Sequence, residues 1–306
     1  MAESSILVTV PARLHLGLVK TSGKPGFIAA GLGLASPRLK MAVRLRRRGG
    51  VFLHPAERAA SAVLRSIGLK EHVSIEILAP LPHHQGFGSG TRMALAAAAG
   101  ALKLAGEKMD ILKMTRLAGR GGRSAMGAVL FARGGVAADV EGSIVRAAAP
   151  GDWRVVLIYP QINDTDMHGL HGAEEDGKIH SISPCSSRTR ILMEDEAVAG
   201  LIGGAASGDF ELFEGAVAAM QASAARQFGE MQGGTASTEN GRRILRRLRG
   251  EGIRACGQSS WGPALFAVTP SGEQAKDMLE WLHHQPGVVE VHASRINNSG
   301  KRFMTR

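Results

Sequence analysis

The feature of this sequence that most constrains its fold is a glycine-rich turn that leads directly into an alanine-rich helix. Residues 86–91 read GFGSGT, and Arg92 to Leu104 consists mainly of alanine and leucine, which are good helix formers. Gly106 marks where this helix is expected to stop. The first N–H groups of a helix have no partner within it, and glycines let an anion approach them. The stretch therefore predicts an anion site, with phosphate as the expected ligand.

Backbone amides, two hydroxyls and one guanidinium of this turn are the candidate phosphate ligands. They belong to Gly86, Gly88, Ser89, Gly90, Thr91 and Arg92. The alternative interpretation is that the glycines only make a tight loop and that Ser89 only caps the helix. The turn is not a Walker A loop, which carries a lysine after its last glycine, and it lacks the downstream acidic residue of a dinucleotide-binding fingerprint.

Length, composition and charge narrow the class of protein. The 306 residues are enough for two domains, and an apolar share of 44% supports a packed core. A formal charge of +10 favours anionic partners such as nucleic acid, acidic lipid or phosphorylated small molecules. Two cysteines argue against a disulfide scaffold. Neither a signal peptide nor an apolar run of about 20 residues is recognisable, so we expect a soluble cytoplasmic protein.

Hydrophobic periodicity predicts an α+β protein. Alternating or continuous apolar residues predict strands at 5–10, 39–45, 73–77, 153–159, 265–268 and 288–291. Helical spacing and capping residues predict helices at 56–67, 92–104, 111–117, 210–220, 241–250 and 274–284. The segment APGD, 148–151, is the clearest break in the chain. We therefore place one domain at residues 1–150 and a second at 151–306.

Two further segments accompany the glycine turn. PARLHLGL, residues 11–18, places Arg13 and His15 on one face of an extended segment, and GQSSWGPALFAV, residues 257–268, is a second glycine- and serine-rich turn before an apolar strand. In order and spacing the three segments resemble the three motifs of the GHMP kinase superfamily. The resemblance implies an N-terminal domain like the second domain of ribosomal protein S5 and a ferredoxin-like C-terminal domain.

The chain departs from the kinases of this superfamily in its middle motif and at its catalytic acid. That motif is close to GLGSSAA in the kinases but reads GFGSGTR here, and residues 119–142 contain Arg120 and Arg123 but no acid before Asp139. Phosphoryl transfer that deprotonates a hydroxyl needs a carboxylate near the acceptor. PARLHLGL, GFGSGTRMAL, GRSAMGAVLFARGGV and GQSSWGPALF instead resemble the β-ribofuranosylaminobenzene 5'-phosphate synthases of methanopterin biosynthesis.

That resemblance implies a decarboxylating phosphoribosyltransferase. Phosphoribosyl pyrophosphate condenses with 4-aminobenzoate or 4-hydroxybenzoate, and pyrophosphate and carbon dioxide leave as a C-riboside forms. The ring carbon that attacks the sugar carries no hydrogen, so no base is needed there. Either para substituent activates the ring, and the sequence leaves the choice between the two benzoates open. The family also implies a homodimer.

The resemblance also implies which residues act. The expected catalytic residues are Arg13, His15, Arg92 and Arg123, and Arg120 is expected to join the phosphate loop, because a guanidinium binds phosphate through two parallel hydrogen bonds. For Arg92, Arg120 and Arg123 the alternative is a surface ion pair, and for His15 it is a structural histidine.

The third motif supplies the candidate ligands of the benzoate. Trp261 is predicted to stack on the ring, and Ser259 and Ser260 are weaker candidates. A core tryptophan beneath a glycine turn is the alternative. Because a carboxylate paired with arginine would lose carbon dioxide more slowly, we expect an apolar pocket around the benzoate, with the guanidinium groups gathered at the phosphates.

Magnesium is the expected metal, as a bridge to the diphosphate, and no organic cofactor is expected. Its ligands are not determined by the sequence; the available acids are Asp139, Asp164, Asp166 and Glu174. NDTDMHGLHGAEED, residues 163–176, lacks the spacing of an EF-hand, and its alternative interpretation is a solvated acidic loop. His168 and His171 have no recognisable third ligand, so zinc is not expected.

Two other functions compete with this interpretation. An ATP-dependent small-molecule kinase of the GHMP superfamily would have the same fold. A nucleic-acid-binding protein is suggested by the charge and by GRRILRRLRG, residues 241–250. In that segment Ile244, Leu245 and Leu248 point one way, as in an ordinary amphipathic surface helix, and aromatic residues that could stack on bases are scarce. We therefore expect small-molecule substrates, and neither nucleic acid nor a membrane as a partner.

Overall fold

The strands of the protein form two antiparallel sheets. The computed structural model describes residues 5–24, 26–46, 54–163, 166 and 172–305, and the side chains of 172–174 and 176 lie outside that description. The larger sheet has six strands in the order β10-β1-β2-β4-β5, and β3 pairs with β2 beside this path. Its strands are β1 (Ser5–Lys20), β2 (Phe27–Arg46), β3 (His72–Ala79), β4 (Val136–Val140), β5 (Ser143–Ala147) and β10 (Arg302–Thr305).

Four helices accompany this sheet, and the second of them explains the alanine-rich segment. They are α1 (Pro55–Arg65), α2 (Ser89–Leu104), α3 (Ile111–Leu117) and α4 (Met126–Arg133). The alanines of α2 are buried, and a Cβ at Gly100 would lie 2.8 Å from Val43 and 3.0 Å from Val8. Small side chains thus let α2 approach the sheet closely, which fixes the position of the glycine turn at its N-terminus.

The first strand extends ten residues beyond its predicted end at Val10. It continues through PARLHLGL to Lys20, with an irregularity between Pro11 and Ala12, where a proline is tolerated within a sheet. The backbone N–H of Arg13 donates a hydrogen bond of 3.3 Å to the carbonyl oxygen of Phe87. The first motif therefore lies on a strand that runs directly beside the glycine turn.

The smaller sheet has four strands in the order β7-β8-β6-β9. They are β6 (Arg154–Pro160), β7 (Cys256–Gln258), β8 (Leu265–Thr269) and β9 (Val288–Arg295). Helices lie between β6 and β7, and another lies between β8 and β9. They are α5 (Gly172–Ser181), α6 (Ser187–Leu192), α7 (Ala199–Ser207), α8 (Phe210–Gln232), α9 (Glu239–Gly250) and α10 (Gly272–His283), with a π-helical turn at Met193–Val198. This β-α-β-β-α-β order is the ferredoxin-like arrangement.

The predicted α+β fold with a ferredoxin-like second part is confirmed. Helix α9 buries Ile244, Leu245 and Leu248 against the smaller sheet, as its amphipathic pattern predicted. The predicted break at 148–151 falls between β5 and β6, where the chain passes from one sheet to the other, whereas β10 returns to pair with β1. The division at residue 150 stays a prediction. Among the helices in the described part of the chain, none has the length and apolar character needed to cross a membrane.

Candidate functional site

The three sequence motifs meet at one cavity of about 1030 Å³. Its walls come from β1, the glycine turn, the loop before α4, helices α5 and α8, and the turn after β7. Most of the predicted site residues line it: Arg13, His15, Gly86, Gly88, Ser89, Gly90, Thr91, Arg120, Arg123, Ser260 and Trp261. Arg92, Ser259, Asp139 and Asp166 do not. A cavity of this volume is large enough for a drug-sized ligand or a pair of small substrates.

The glycine turn presents an uncapped helix N-terminus to the cavity. Helix α2 begins at Ser89, and its N-cap is Gly88, whose φ of 68° is left-handed and which provides no side-chain cap. Ser89 therefore does not cap the helix, and that alternative interpretation is wrong. A Cβ at Gly88 would lie 3.1 Å from the Arg13 guanidinium. Glycine is thus required both for the turn and for the close approach of the arginine.

Ser259 joins the three motifs from behind the cavity wall. Its side chain is fully buried, its Oγ accepts a hydrogen bond of 3.0 Å from the His15 backbone N–H, and it donates one of 3.0 Å to the carbonyl oxygen of Gly86. The hydroxyl is therefore occupied by contacts within the protein. The prediction that Ser259 contacts the benzoate is corrected to a structural link between β1 and the glycine turn.

Two guanidinium groups lie at the glycine turn, that of Arg92 fully buried and that of Arg13 half-buried. Arg92 is 1% exposed; its Nη1 donates 3.0 Å to the Gly127 carbonyl oxygen, and its Nη2 has no hydrogen-bond partner among the described residues. The Nε of Arg13 is likewise buried without a partner there. Burial, with a smaller effect of the Arg13 charge, lowers the pKa of Arg92 to about 9. Arg92 thus lies beneath the loop and does not line the cavity, which corrects both the prediction that it contacts phosphate directly and the alternative of a surface ion pair.

The charges of Arg13 and Arg92 favour the binding of an anion at this site. Burial is the main cause that lowers the pKa of Arg13 to about 10, Glu175 opposes the change and Arg123 adds to it. Both arginines remain protonated at neutral pH. A buried positive charge with unused donors is costly unless a negative charge meets it. An anion placed between Arg13 and the start of α2 would lower this cost and would also meet the free N–H groups of the helix.

Arg120 and Arg123 extend the positive surface toward the cavity mouth. Arg120 is exposed, and a Cβ at Gly90 would lie 3.9 Å from its Nη2. Arg123 forms an ion pair with Glu175, with Nη1 and Oε1 2.6 Å apart. The same Oε1 accepts a hydrogen bond of 2.9 Å from Nε1 of Trp261. Glu175 was absent from the sequence prediction, which named Glu174, and no local pattern distinguishes the two.

Trp261 lies among apolar side chains in the cavity wall. Trp261 is 9% exposed and meets Phe228 edge to face, with ring centroids 5.7 Å apart. Leu18, Phe27 and Ile179 line the same region. Trp261 is therefore both part of a small hydrophobic cluster and part of the cavity wall, so the two interpretations of this residue are compatible. The expected separation of an apolar benzoate pocket from the guanidinium groups stays a prediction, and Arg123 lies near Trp261 because both donate to Oε1 of Glu175.

His15 is a neutral histidine in the cavity wall. It is 8% exposed and lines the cavity. Burial, followed by the charges of Arg13 and Arg123, holds the pKa of its imidazole well below the usual 6.5. In this state one ring nitrogen donates and the other accepts a hydrogen bond.

The described acids that were predicted as metal ligands accept hydrogen bonds within the protein. Asp139 is 1% exposed; its Oδ2 accepts hydrogen bonds from Ser124 and Ala125, and its Oδ1 accepts one from Gly142. Asp166 accepts backbone hydrogen bonds from Asn163 and Glu239. Asp164 and the side chain of Glu174 lie outside the described residues. Within the described part of the chain no three His, Cys, Asp or Glu side chains form a metal-binding group.

Comparisons with known proteins agree with this geometry. The family model of the GHMP kinases N terminal domain matches residues 54–135. A curated "Beta-ribofuranosylphenol 5'-phosphate synthase" of Methanothermobacter thermautotrophicus is 25% identical, with 98% of this chain and 95% of that protein covered. A protein of the same name from Methanocaldococcus jannaschii is 28% identical over 49% of this chain and 51% of its own length.

Solved structures show the same fold. Mevalonate pyrophosphate decarboxylase from Streptococcus pyogenes superposes with a TM-score of 0.71 at 15% identity, covering 97% of this chain and 98% of that one. Homoserine kinase from Cytophaga hutchinsonii gives 0.65 at 16% identity, covering 99% and 98%. Residues 54–135 are thus similar to the N-terminal domain of the GHMP kinases, and nearly the whole chain is similar to a β-ribofuranosylphenol 5'-phosphate synthase.

Proposed function

We propose that this chain condenses phosphoribosyl pyrophosphate with 4-hydroxybenzoate or 4-aminobenzoate, forming a C-riboside 5'-phosphate of methanopterin biosynthesis and releasing pyrophosphate and carbon dioxide. At a coarser level it is an enzyme with small-molecule substrates. The full-length similarity to a β-ribofuranosylphenol 5'-phosphate synthase supports the proposal. The observation that carries it is an uncapped helix N-terminus beside the fully buried Arg92 and the half-buried Arg13, each with one buried nitrogen that has no partner among the described residues.

The diphosphate of the ribosyl donor would lie at the glycine turn. Residues Gly88 to Thr91 at the start of α2 and Arg13 line the cavity there, so the helix N–H groups, the hydroxyls of Ser89 and Thr91 and the Arg13 guanidinium are the proposed ligands. Donors that are fixed before the reaction stabilise the negative charge that grows on the departing diphosphate. Arg92 acts from below, since its positive charge adds to the field at the turn. Arg120 and Arg123 are proposed to meet the remaining phosphate charge.

The benzoate would lie in the apolar region against Trp261. The indole offers a flat surface for the ring, and Phe27, Ile179 and Phe228 surround it with apolar groups. Apolar surroundings do not stabilise the carboxylate before it is lost, which favours decarboxylation. We propose that neutral His15, which also lines the cavity, donates or accepts a hydrogen bond at the para substituent.

The proposed reaction needs no protein base at the reacting carbon. The bond from the sugar C1 to the diphosphate breaks, and its electron pair leaves with the diphosphate. The ring carbon that bears the carboxylate supplies the pair for the new carbon–carbon bond. The bond to the carboxylate then breaks, its pair restores the aromatic ring and carbon dioxide leaves. The protein contributes mainly by holding two reactants in line and by binding the leaving group.

Magnesium fits this site only as a partner of the diphosphate. Among the described residues that line the cavity, Ser89 and Thr91 offer hydroxyl oxygens, and the one carboxylate, Glu175, is paired with Arg123. Magnesium often binds through substrate phosphates with few protein ligands. When bound, the ion would neutralise part of the diphosphate charge. We therefore propose Ser89 and Thr91 as the protein contacts of the magnesium ion, and we do not propose a cage of carboxylates.

One assay separates this function from the kinase alternative. Purified protein is incubated with phosphoribosyl pyrophosphate, magnesium and each benzoate labelled at the carboxyl carbon, and labelled carbon dioxide and pyrophosphate are measured. We expect both products in equal amounts from at least one benzoate. ADP from ATP and an alcohol, with no labelled gas from either benzoate, would instead establish a kinase. Light scattering of the same preparation tests the predicted homodimer.

A further inference from the structure

Glu175 carries a negative charge in a cavity whose other charged residues, among those described, are positive. Among the described residues that line the cavity it is the only acid, and Arg13, Lys20, Arg120 and Arg123 line the same space. A carboxylate close to a diphosphate would be repelled by it. Its presence in a cavity proposed to bind a polyanion therefore needs a separate explanation.

The position of Glu175 is fixed at the boundary between the two halves of the cavity. Its Oε1 accepts a hydrogen bond of 2.6 Å from Nη1 of Arg123 on the phosphate side. The same atom accepts one of 2.9 Å from Nε1 of Trp261 on the apolar side. Helix α5, which carries Glu175, is itself held to the end of β1, because Nζ of Lys20 donates to the carbonyl oxygens of Ile179, His180 and Ile182 at its C-terminal end.

The second carboxylate oxygen of Glu175 is left for the substrate. Both of these hydrogen bonds involve Oε1, and among the described residues no donor reaches Oε2. Oε2 is also not one of the fully buried polar atoms without a partner, and 17% of the Glu175 side chain is exposed. One oxygen thus orders the side chain, and the other is accessible from the cavity.

We propose that Glu175 is a catalytic residue that stabilises the positive charge on the ribose as the diphosphate leaves; this inference rests on the proposed function. With the diphosphate at the glycine turn and the ring at Trp261, the sugar C1 lies between them, where Glu175 is held. When the electron pair of the C1–oxygen bond leaves with the diphosphate, the sugar becomes oxocarbenium-like until the ring carbon donates its own pair. A nearby carboxylate lowers the energy of that state. Glu175 gains and loses no proton.

The variant Glu175→Gln separates catalysis from positioning. The amide oxygen still accepts hydrogen bonds from Trp261 and Arg123, but the negative charge is gone. We expect kcat for carbon dioxide release to fall about 100-fold, as when one preorganised electrostatic contact is removed. Affinity for phosphoribosyl pyrophosphate with magnesium, measured by calorimetry without benzoate, should stay the same or increase, because a negative charge near the phosphates is lost. Glu175→Asp, which keeps the charge, should recover at least a tenth of the wild-type kcat.

The controls make each outcome decisive. Glu230→Gln makes the same chemical change at an exposed position on α8 outside the cavity, and it should leave kcat and affinity unchanged. If Glu175 only orders its neighbours, Glu175→Gln loses donor affinity and keeps its kcat, or Glu175→Asp is no more active than Glu175→Gln; either result overturns the proposal. A wild-type protein that binds the donor but releases no carbon dioxide from either benzoate would overturn the proposed function as well.

Discussion

At the scale of single residues, the unusual feature is a site built around buried positive charge. Arg92 is fully buried, Arg13 is half-buried, and each has one buried nitrogen without a partner among the described residues. Proteins tolerate such groups where a ligand supplies the missing charge, since the unliganded state then carries the cost. Part of the free energy of anion binding therefore comes from removing this cost, and it does not depend on contacts with the sugar or the ring.

Replacing Arg13 by methionine tests this arrangement. Arg13→Met should weaken pyrophosphate binding about 10- to 100-fold, because hydrogen bonds to a charged group contribute about 1.5–3 kcal/mol. Without ligand the variant should be at least as stable as the wild type, since an incompletely paired buried charge has gone. Calorimetric titration with pyrophosphate and urea unfolding measure the two effects. Arg120→Met, at an exposed position, should lose less affinity; an equal loss would contradict the special role of Arg13.

His15 makes the stability of the folded protein depend on pH. Its pKa lies well below 6.5 in the folded state, mainly because of burial, and near 6.5 in the unfolded chain. As pH falls below 6.5, the unfolded state takes up a proton that the folded state does not. The free energy of unfolding therefore decreases, by at most about 1.4 kcal/mol per pH unit for this group. Urea unfolding from pH 7 to pH 5 should show a shallower decrease for His15→Gln; parallel curves would refute this assignment.

At the scale of elements, the glycine turn and the helix that follows it determine the geometry of the anion site. Gly88 has a left-handed backbone and faces the Arg13 guanidinium, and Gly86 packs against the Ser259 carbonyl group so closely that a Cβ would collide with it. Helix α2 is held against the sheet by its small residues, so its N-terminus has little freedom to move. The turn is thus a rigid binding element rather than a loose loop.

Two glycine substitutions separate the effect of backbone strain from the effect of a clash with the Arg13 guanidinium. Gly88→Ala and Gly106→Ala both place alanine at a positive φ, 68° and 73°, which costs about 1–2 kcal/mol of stability in each case. Only at Gly88 would the new methyl group meet another group, the Arg13 guanidinium, because nothing lies within 4 Å of a Cβ at Gly106. Both variants should lose similar stability in urea, but only Gly88→Ala should lose donor affinity in calorimetry. If both variants bound the donor with equal affinity, a clash between the new methyl group at residue 88 and the Arg13 guanidinium would be ruled out as a cause.

Much of the fold, and the glycine turn of the site, follow from local sequence patterns. The glycine turn, the alanine-rich helix and the amphipathic helix α9 were predictable because their determinants are neighbours in the chain. The roles of Ser259 and Glu175 were not. Glu175 acquires its place through residues 52 and 86 positions away, Arg123 and Trp261. Ser259 is linked to His15 across 244 positions. No periodicity reports such contacts, so sequence reasoning assigned Ser259 to the substrate and missed Glu175.

At the scale of the whole molecule, the cavity exists because the two sheets contribute to it together. β1 belongs to the larger sheet, and the turn that carries Ser259 follows β7 of the smaller sheet. The C-terminal strand β10 returns to pair with β1, and Asn298 exchanges hydrogen bonds with Ala149 at the crossing between the sheets. The stability of the chain and the geometry of the site should therefore depend on the same long-range contacts.

Ser259→Ala tests this dependence, and Ser237→Ala is its matched control. Both serines are buried, but the hydroxyl of Ser259 makes two hydrogen bonds, whereas the Oγ of Ser237 has no partner among the described residues. Ser259→Ala leaves the His15 N–H and the Gly86 carbonyl group unpaired, so it should destabilise the protein by about 1–3 kcal/mol and raise the donor KM. Ser237→Ala removes an unpaired polar atom and should be neutral or stabilising. Urea unfolding and donor titration of both variants decide the point: if the two variants unfold alike, Ser259 does not join the sheets.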